Sequence, residues 1–157
     1  MRVKEKVWQQ LVAAPLPQVW SFFSKPQNLN ELTPDDLSFK IISPAGEVDM
    51  YPGMLIRYRV KPLFGISLFW MTEITQVREG EYFIDEQRMG PYAFWHHQHH
   101  FEKVDGGVLI TDRLHYKVPF GPLGTLVDKW IVEPRIEEIF RFRKQKVDQI
   151  FGPSSSE

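Results

Sequence analysis

The sequence predicts an α+β fold in which an antiparallel sheet packs against one long C-terminal helix. Three observations lead to it. From Ser38 to Val118 the chain is a series of extended runs joined by short turns, with no helical stretch between them, so successive strands pair antiparallel. After Pro119-Phe120-Gly121-Pro122, the residues Leu126, Val127, Trp130, Ile131, Ile139, Phe140, Val147 and Ile150 recur at helical spacing to about Phe151. Finally, 43% of the 157 residues are hydrophobic, which supports one real core and leaves no room for a second domain of ordinary size. The expected domain is 1–151, followed by a disordered polar tail at 152–157.

Element by element, residues 2–12 read as a strand. Pro15 to Ser24 reads as a short helix, with Pro17 in its first turn and Val19, Trp20, Phe22 and Phe23 as its apolar side. A second short helix over Gln27 to Leu32 ends at Thr33-Pro34, because the residue before proline is pushed out of the helical region. Strands are expected at Ser38–Ile42, Met54–Lys61, Ser67–Val77, Glu81–Arg88, Phe94–Val104 and Val108–Val118. In the long helix, Pro134 predicts a bend near the middle.

A meander alternates the ends at which its turns lie, and here the two ends differ in chemistry. Ser43 to Gly53, Arg78-Glu79-Gly80 and Asp105-Gly106-Gly107 are polar or glycine-rich. The opposite turns carry Leu63, Phe64, Ile66, Tyr92, Phe120 and Leu123. Apolar turns clustered at one end suggest a pocket mouth or a transient membrane or protein contact, with Phe64, Tyr92 and Phe120 as its rim; packing of the turns on one another is the alternative.

Several functions are disfavoured. A net charge of -1 argues against a phosphate-backbone binder, and the aromatic residues do not interleave with lysine and arginine as in a single-strand binder. The basic run Arg141-Phe142-Arg143-Lys144-Gln145-Lys146 reads as the solvated side of the helix. With no cysteine there is neither a disulfide framework nor a thiol nucleophile. Neither a signal-peptide h-region nor an apolar run of about 20 residues is present, so a cytoplasmic protein is expected. Glycine-rich phosphate loops and the nucleophile-elbow motif are missing as well.

All five histidines fall between His96 and His115, and this is where the sheet carries chemistry. A two-residue hairpin turn centred on Asp105-Gly106 sets His99 opposite Asp112, His97 opposite Leu114 and Trp95 opposite Tyr116. Alternation places these pairs on the inward face and His96, Gln98, His100 and His115 on the other. A turn at Glu79-Gly80 adds Asp85 opposite Ile74 and Gln87 opposite Thr72, on the face of Trp70. The candidate cavity wall is therefore Trp70, Phe83, Asp85, Gln87, Trp95, His97, His99, Asp112 and Tyr116, with Trp130 from the helix. Buried polar groups must bond to one another, to water or to a ligand. Three readings stay open: a structural network, a cluster that orients a ligand, and catalysis by His99 as general acid or base held by Asp112, with His97 or Tyr116 assisting. No metal is expected, since no third ligand is clearly placed beside either histidine pair, although Asp112 or Asp85 could serve the inner one.

The chain resembles the START and Bet v 1-like (SRPBCC) superfamily, and within it the ligand-binding proteins grouped with polyketide cyclases and dehydrases. The resemblance runs through Asn28-Leu29 with Leu32-Thr33-Pro34, Phe83 with Asp85 and Gln87, Gly90-Pro91-Tyr92 with Trp95-His96-His97-Gln98-His99-His100-Phe101, and Asp112 with Tyr116 and Pro119-Phe120-Gly121. It implies a helix-grip fold, in which a curved sheet wraps the long helix around a cavity for a hydrophobic or amphipathic small molecule. A lipid, polyketide or isoprenoid is the implied ligand. The alternative in another class is a cyclase, dehydrase or isomerase that needs no cofactor, and a third reading is an interaction protein acting through its apolar rim. Such a fold transfers the container more securely than the reaction.

Overall fold

The computed structural model describes residues 2–62 and 64–152; Met1, Leu63 and all but Gly152 of the tail expected at 152–157 lie outside the described residues. Seven strands form one antiparallel sheet: β1 (Lys4–Val12), β2 (Lys40–Ser43), β3 (Leu55–Val60), β4 (Leu68–Arg78), β5 (Tyr82–Met89), β6 (Phe94–Val104) and β7 (Gly107–Lys117). Their order is β1-β7-β6-β5-β4-β3-β2, so the meander from β2 to β7 runs in sequence and β1 returns to its far edge. The expected strand limits hold to within one or two residues at each end.

Between β1 and β2 lie α1 (Leu16–Phe23) and two 3₁₀ turns, Pro26–Asn30 and Asp35–Leu37. The second expected helix is thus a tight turn that stops three residues short of Thr33, and the chain re-coils after Pro34. After β7, the long helix is built in three pieces: α2 (Gly121–Val127), a π-helical turn (Asp128–Val132) and α3 (Glu133–Phe151). Pro134 has no N–H and its ring crowds the carbonyl four residues back. Widening the preceding turn, so that the Glu133 N–H reaches the Asp128 carbonyl, accommodates it. The expected bend is therefore a π turn that re-phases the helix.

Two hairpin registers decide which side chains meet. At the Asp105-Gly106 turn, Val104 pairs with Gly107, His99 with Asp112, and Trp95 with Tyr116, as the two-residue turn requires. Gly107 is needed there: at φ 147° an added Cβ would sit 1.9 Å from the Val12 carbonyl oxygen of neighbouring β1. At the β4–β5 turn, Arg78 pairs with Tyr82, which makes a three-residue turn of Glu79-Gly80-Glu81 rather than the expected two. A bulge at Thr75 then takes up the extra residue, and Ile74 meets Asp85 and Thr72 meets Gln87 as expected.

The inward face of this curved sheet carries the core. Val12, Val19, Phe23, Ile56, Ile74, Phe83, Phe101, Ile110 and Val147 are buried together, with Trp20 edge-on to Phe101. α3 is tied down along β1. Trp8 stacks on Phe140 at 3.7 Å and donates to Glu137, Lys6 pairs with Glu133 and Glu137, and Gln10 donates to Asp148. Among the described residues no helix is long and apolar enough to cross a membrane.

Candidate functional site

Between the sheet and α3 lies a cavity of about 190 Å³. Its wall is apolar and aromatic: Leu32, Phe39, Tyr58, Trp70, Phe83, Tyr92, Trp95, Ile136 and Phe140 all line it. Asp85, His97, His99 and Arg143 break that surface, as does Arg135, which pairs with Asp36 and Glu138. Trp70 meets Trp95 edge-on at 5.2 Å and tilts against Tyr92, which fixes the aromatic wall. The Trp70 indole N–H is buried without a hydrogen-bond partner among the described residues.

The polar side of the cavity is assembled from four elements. β5 supplies Asp85, β6 supplies His97 and His99 two residues apart on one face, β7 supplies Asp112, and α3 supplies Arg143. His99 Nε2 lies 2.6 Å from Asp85 Oδ2, and His97 Nε2 lies 2.9 Å from Asp112 Oδ1. His99 Nδ1 is 3.2 Å from the same Asp112 oxygen, and Arg143 Nη2 is 3.3 Å from it. The residue facing His99 in the ladder is thus not its shortest partner. Asp112 reaches diagonally to His97, and Asp85, which faces His97, reaches diagonally to His99.

Charge follows from these contacts. Burial opposes ionisation of the Asp112 carboxyl, but the Arg143 guanidinium and the two imidazoles outweigh it and hold the group well below the usual carboxylate range. Asp85 is likewise pulled down, against its burial, by the bond to His99. For His99, burial is outweighed by bonds to Asp112 and Asp85, so its pKa is raised from the ordinary histidine value. His97 goes the other way, because burial and the neighbouring His99 charge disfavour a second imidazolium. These directions favour two carboxylates, one guanidinium and one imidazolium on His99, a combination that is neutral as a whole. The His97 Nδ1, 3.6 Å from Asp85, is beyond hydrogen-bond range.

The remaining sequence-predicted residues take different places. Trp70, Phe83, Asp85, Trp95, His97 and His99 line the cavity, and so does Tyr92, which was expected at the mouth. Gln87 stands behind that wall: its amide donates to the Tyr92 carbonyl and accepts from the Tyr92 N–H, clamping the turn that presents the ring. Asp112 backs the histidines from outside the cavity. Tyr116 donates to Asp128 at 3.0 Å and, with Lys4 on that carboxylate, anchors the π turn. Trp130 points away, 71% exposed, because the π turn puts it on a different stripe from Ile136 and Phe140. Phe64 and Phe120 are 83% and 79% exposed and do not line the cavity.

Sequence reasoning missed Arg143, which it placed with the solvated basic run; its side chain is only 11% exposed, against Asp112. The signal was present in the spacing. Arg143 falls three residues after Phe140 and four before Val147, on the buried face of α3.

A curved antiparallel sheet gripping a C-terminal helix around a small-molecule cavity defines the helix-grip class. Residues 12–140 match the model of the family described as polyketide cyclase / dehydrase and lipid transport, and the chain belongs to that family. Among curated proteins none matches it. Solved structures of the same fold include a protein from Chromobacterium violaceum, 14% identical with TM-score 0.71 over 95% of this chain and 97% of that one. A protein from Mycobacterium smegmatis is 18% identical with TM-score 0.67, covering 96% of each chain. A nucleoside-diphosphate sugar epimerase from Corynebacterium glutamicum is 20% identical with TM-score 0.61, over 92% of this chain but 28% of the epimerase. At these identities the likeness is one of fold.

Proposed function

We propose that this chain binds a hydrophobic or amphipathic small molecule of polyketide, isoprenoid or lipid type between its sheet and α3. The polar end of the ligand faces Asp85, His97 and His99, and its apolar body lies among Trp70, Trp95, Tyr92 and Phe140. Trp70 carries this reading. A buried donor left unpaired costs about 1–3 kcal/mol, and an acceptor on a ligand beside Trp70, which lines the cavity, would recover it. An apolar cavity of about 150 Å³ accommodates benzene, so 190 Å³ favours a compact one- or two-ring molecule over a pair of acyl chains.

Native mass spectrometry of the freshly purified protein, with organic extraction, tests the proposal. Expected is a stoichiometric apolar adduct, or, on an apo mass, saturable quenching of tryptophan fluorescence by small aromatic polyketides that is lost in Trp70→Ala. An apo mass with no quenching by any such compound refutes it.

A second reading, a cofactor-independent cyclase, dehydrase or isomerase, is favoured by one contact. Asp112 fixes His97 through Nε2 and leaves Nδ1 free of a hydrogen bond at the cavity wall, as a general base requires. Both nitrogens of His99, the base expected from the sequence, are already engaged, Nε2 by Asp85 and Nδ1 by Asp112 and Arg143. Proton abstraction next to a ligand carbonyl is the reaction in question. It predicts deuterium exchange into a bound ketone that His97→Gln abolishes while binding persists.

A further inference from the structure

Asp85, His97 and His99 each bring one donor atom to a common space, and the three atoms lie within 4.8 Å of one another. Asp85 Oδ2 is 2.6 Å from His99 Nε2 and 3.6 Å from His97 Nδ1. The other ring nitrogens, His97 Nε2 and His99 Nδ1, turn back to a single oxygen of Asp112 at 2.9 and 3.2 Å. That is the arrangement by which a carboxylate behind a histidine fixes its tautomer and aims its lone pair at a metal. We propose that Asp85, His97 and His99 form a binding site for one divalent transition-metal ion, oriented by Asp112 and open toward the cavity.

The geometry is close to what such an ion needs. Metal–ligand lengths of about 2.0–2.2 Å in a tetrahedral site put donor atoms about 3.3 Å apart. The His97–Asp85 separation is already near that, and a small rotation of the Asp85 carboxylate opens the His99–Asp85 contact. Strands β5 and β6 hold all three ligands on one face, with Asp85 directly opposite His97. Two imidazoles and one carboxylate suit zinc, cobalt, nickel or ferrous iron; the all-oxygen shells of magnesium and calcium do not fit. Three protein ligands facing a cavity leave at least one position free, as in catalytic rather than structural sites.

Charge adds a requirement. A divalent ion between Asp85 and Asp112, with Arg143 alongside, leaves one net positive charge in an apolar setting. A hydroxide or an anionic oxygen on the cavity's occupant would balance it. The site needs no organic ligand to form, so it stands or falls independently of the binding reading above.

The test is titration of the chelator-stripped, full-length chain with cobalt(II). Expected are visible d–d bands that saturate at one equivalent and are displaced by zinc. His97→Gln and Asp85→Asn abolish them. His96→Gln, on the outer face where His96 bonds Glu86, leaves them intact. Asp112→Asn, which keeps all three ligands, weakens binding about 10–100-fold. Circular dichroism establishes that each variant is folded, and the wild-type titration decides even where one is not. Wild-type protein that gives no d–d bands in excess cobalt overturns the proposal, as do bands that persist in both His97→Gln and Asp85→Asn.

Discussion

Replacing Asp112 by Asn removes one charge from the metal-free cluster without changing its shape. In the native chain that carboxylate faces His97 Nε2, His99 Nδ1 and Arg143 Nη2, all within 3.3 Å, and its side chain is 10% exposed. Without it, Arg143 and the His99 imidazolium share Asp85 as sole counter-charge in the cluster. Breaking a buried pair in this way costs about 3–5 kcal/mol. His99 limits the loss by shedding its proton, so its titration should move down from its raised position. For a chain of this length about 2–4 °C of melting temperature accompanies each kcal/mol, which predicts a fall of about 6–20 °C by the same conversion. Thermal and urea unfolding at neutral pH, read by circular dichroism, measure the stability, and imidazole NMR follows His99. A loss below about 1 kcal/mol, the range of exposed ion pairs, would mean that water screens the cluster and that the neutral, buried network is wrong.

Other expectations follow from single contacts. Trp70→Phe removes an unpaired donor and should leave stability within about 1 kcal/mol while weakening a ligand that accepts from the indole by roughly 2- to 12-fold, the equivalent of one hydrogen bond at 0.5–1.5 kcal/mol. Gly107→Ala drives a methyl into the Val12 carbonyl of β1 and should cost about 1–3 kcal/mol or more in urea unfolding. In pH-dependent unfolding of metal-free protein, His99 is raised, so its stabilisation is complete below the unfolded value near 6.5 and is lost as pH climbs through the folded value. His97 is lowered, so stability also declines as pH falls below about 6.5, with Asp85 and Asp112 adding to that loss below about 4. The maximum should lie near neutrality; a monotonic profile from pH 5 to 9 would contradict the split. Phe64→Asp with Trp130→Asp should change stability by no more than about 0.5 kcal/mol each yet abolish liposome co-sedimentation, if the exposed apolar residues Phe64, Ile66, Phe120, Leu123, Leu126 and Trp130 meet a membrane.

The two hairpins show where the sequence was legible and where it was not. Asp105-Gly106 is a strong turn signal because both residues tolerate what a two-residue loop demands, so the β6–β7 register and the His99–Asp112 pairing could be read directly. Glu79-Gly80 gave the correct partners for Asp85 and Gln87 through two offsetting errors, a turn one residue longer than expected and a bulge at Thr75. A bulge leaves little trace in residue type, so that agreement could not have been anticipated. Faces were legible from alternation; bonds were not, since a side chain on one strand can reach two positions on the next. The helix failed at its phase. A π turn adds a residue to one winding, so Trp130 looked continuous with the Phe140 stripe and is not. Arg143 was hidden for the opposite reason: charge composition outweighed a spacing that already placed it on the buried side.

These particulars constrain how the cavity works. A charged wall in an apolar pocket is least costly when it is neutral as a whole, and the opposite shifts of His97 and His99 favour that balance, with one imidazole charged and the other not. A proton on His99 Nε2 would lie between that ring and Asp85, in the space where the proposed metal ion would sit. Proton and metal therefore compete for one position, and each leaves the wall with a different charge toward the cavity: zero with the proton, positive with the ion. A neutral wall receives a ligand through hydrogen bonds, whereas a positive one demands an anionic oxygen. If the proposed metal ion binds there, exchanging it for the proton would select among ligands that the aromatic walls, by shape alone, would accept alike.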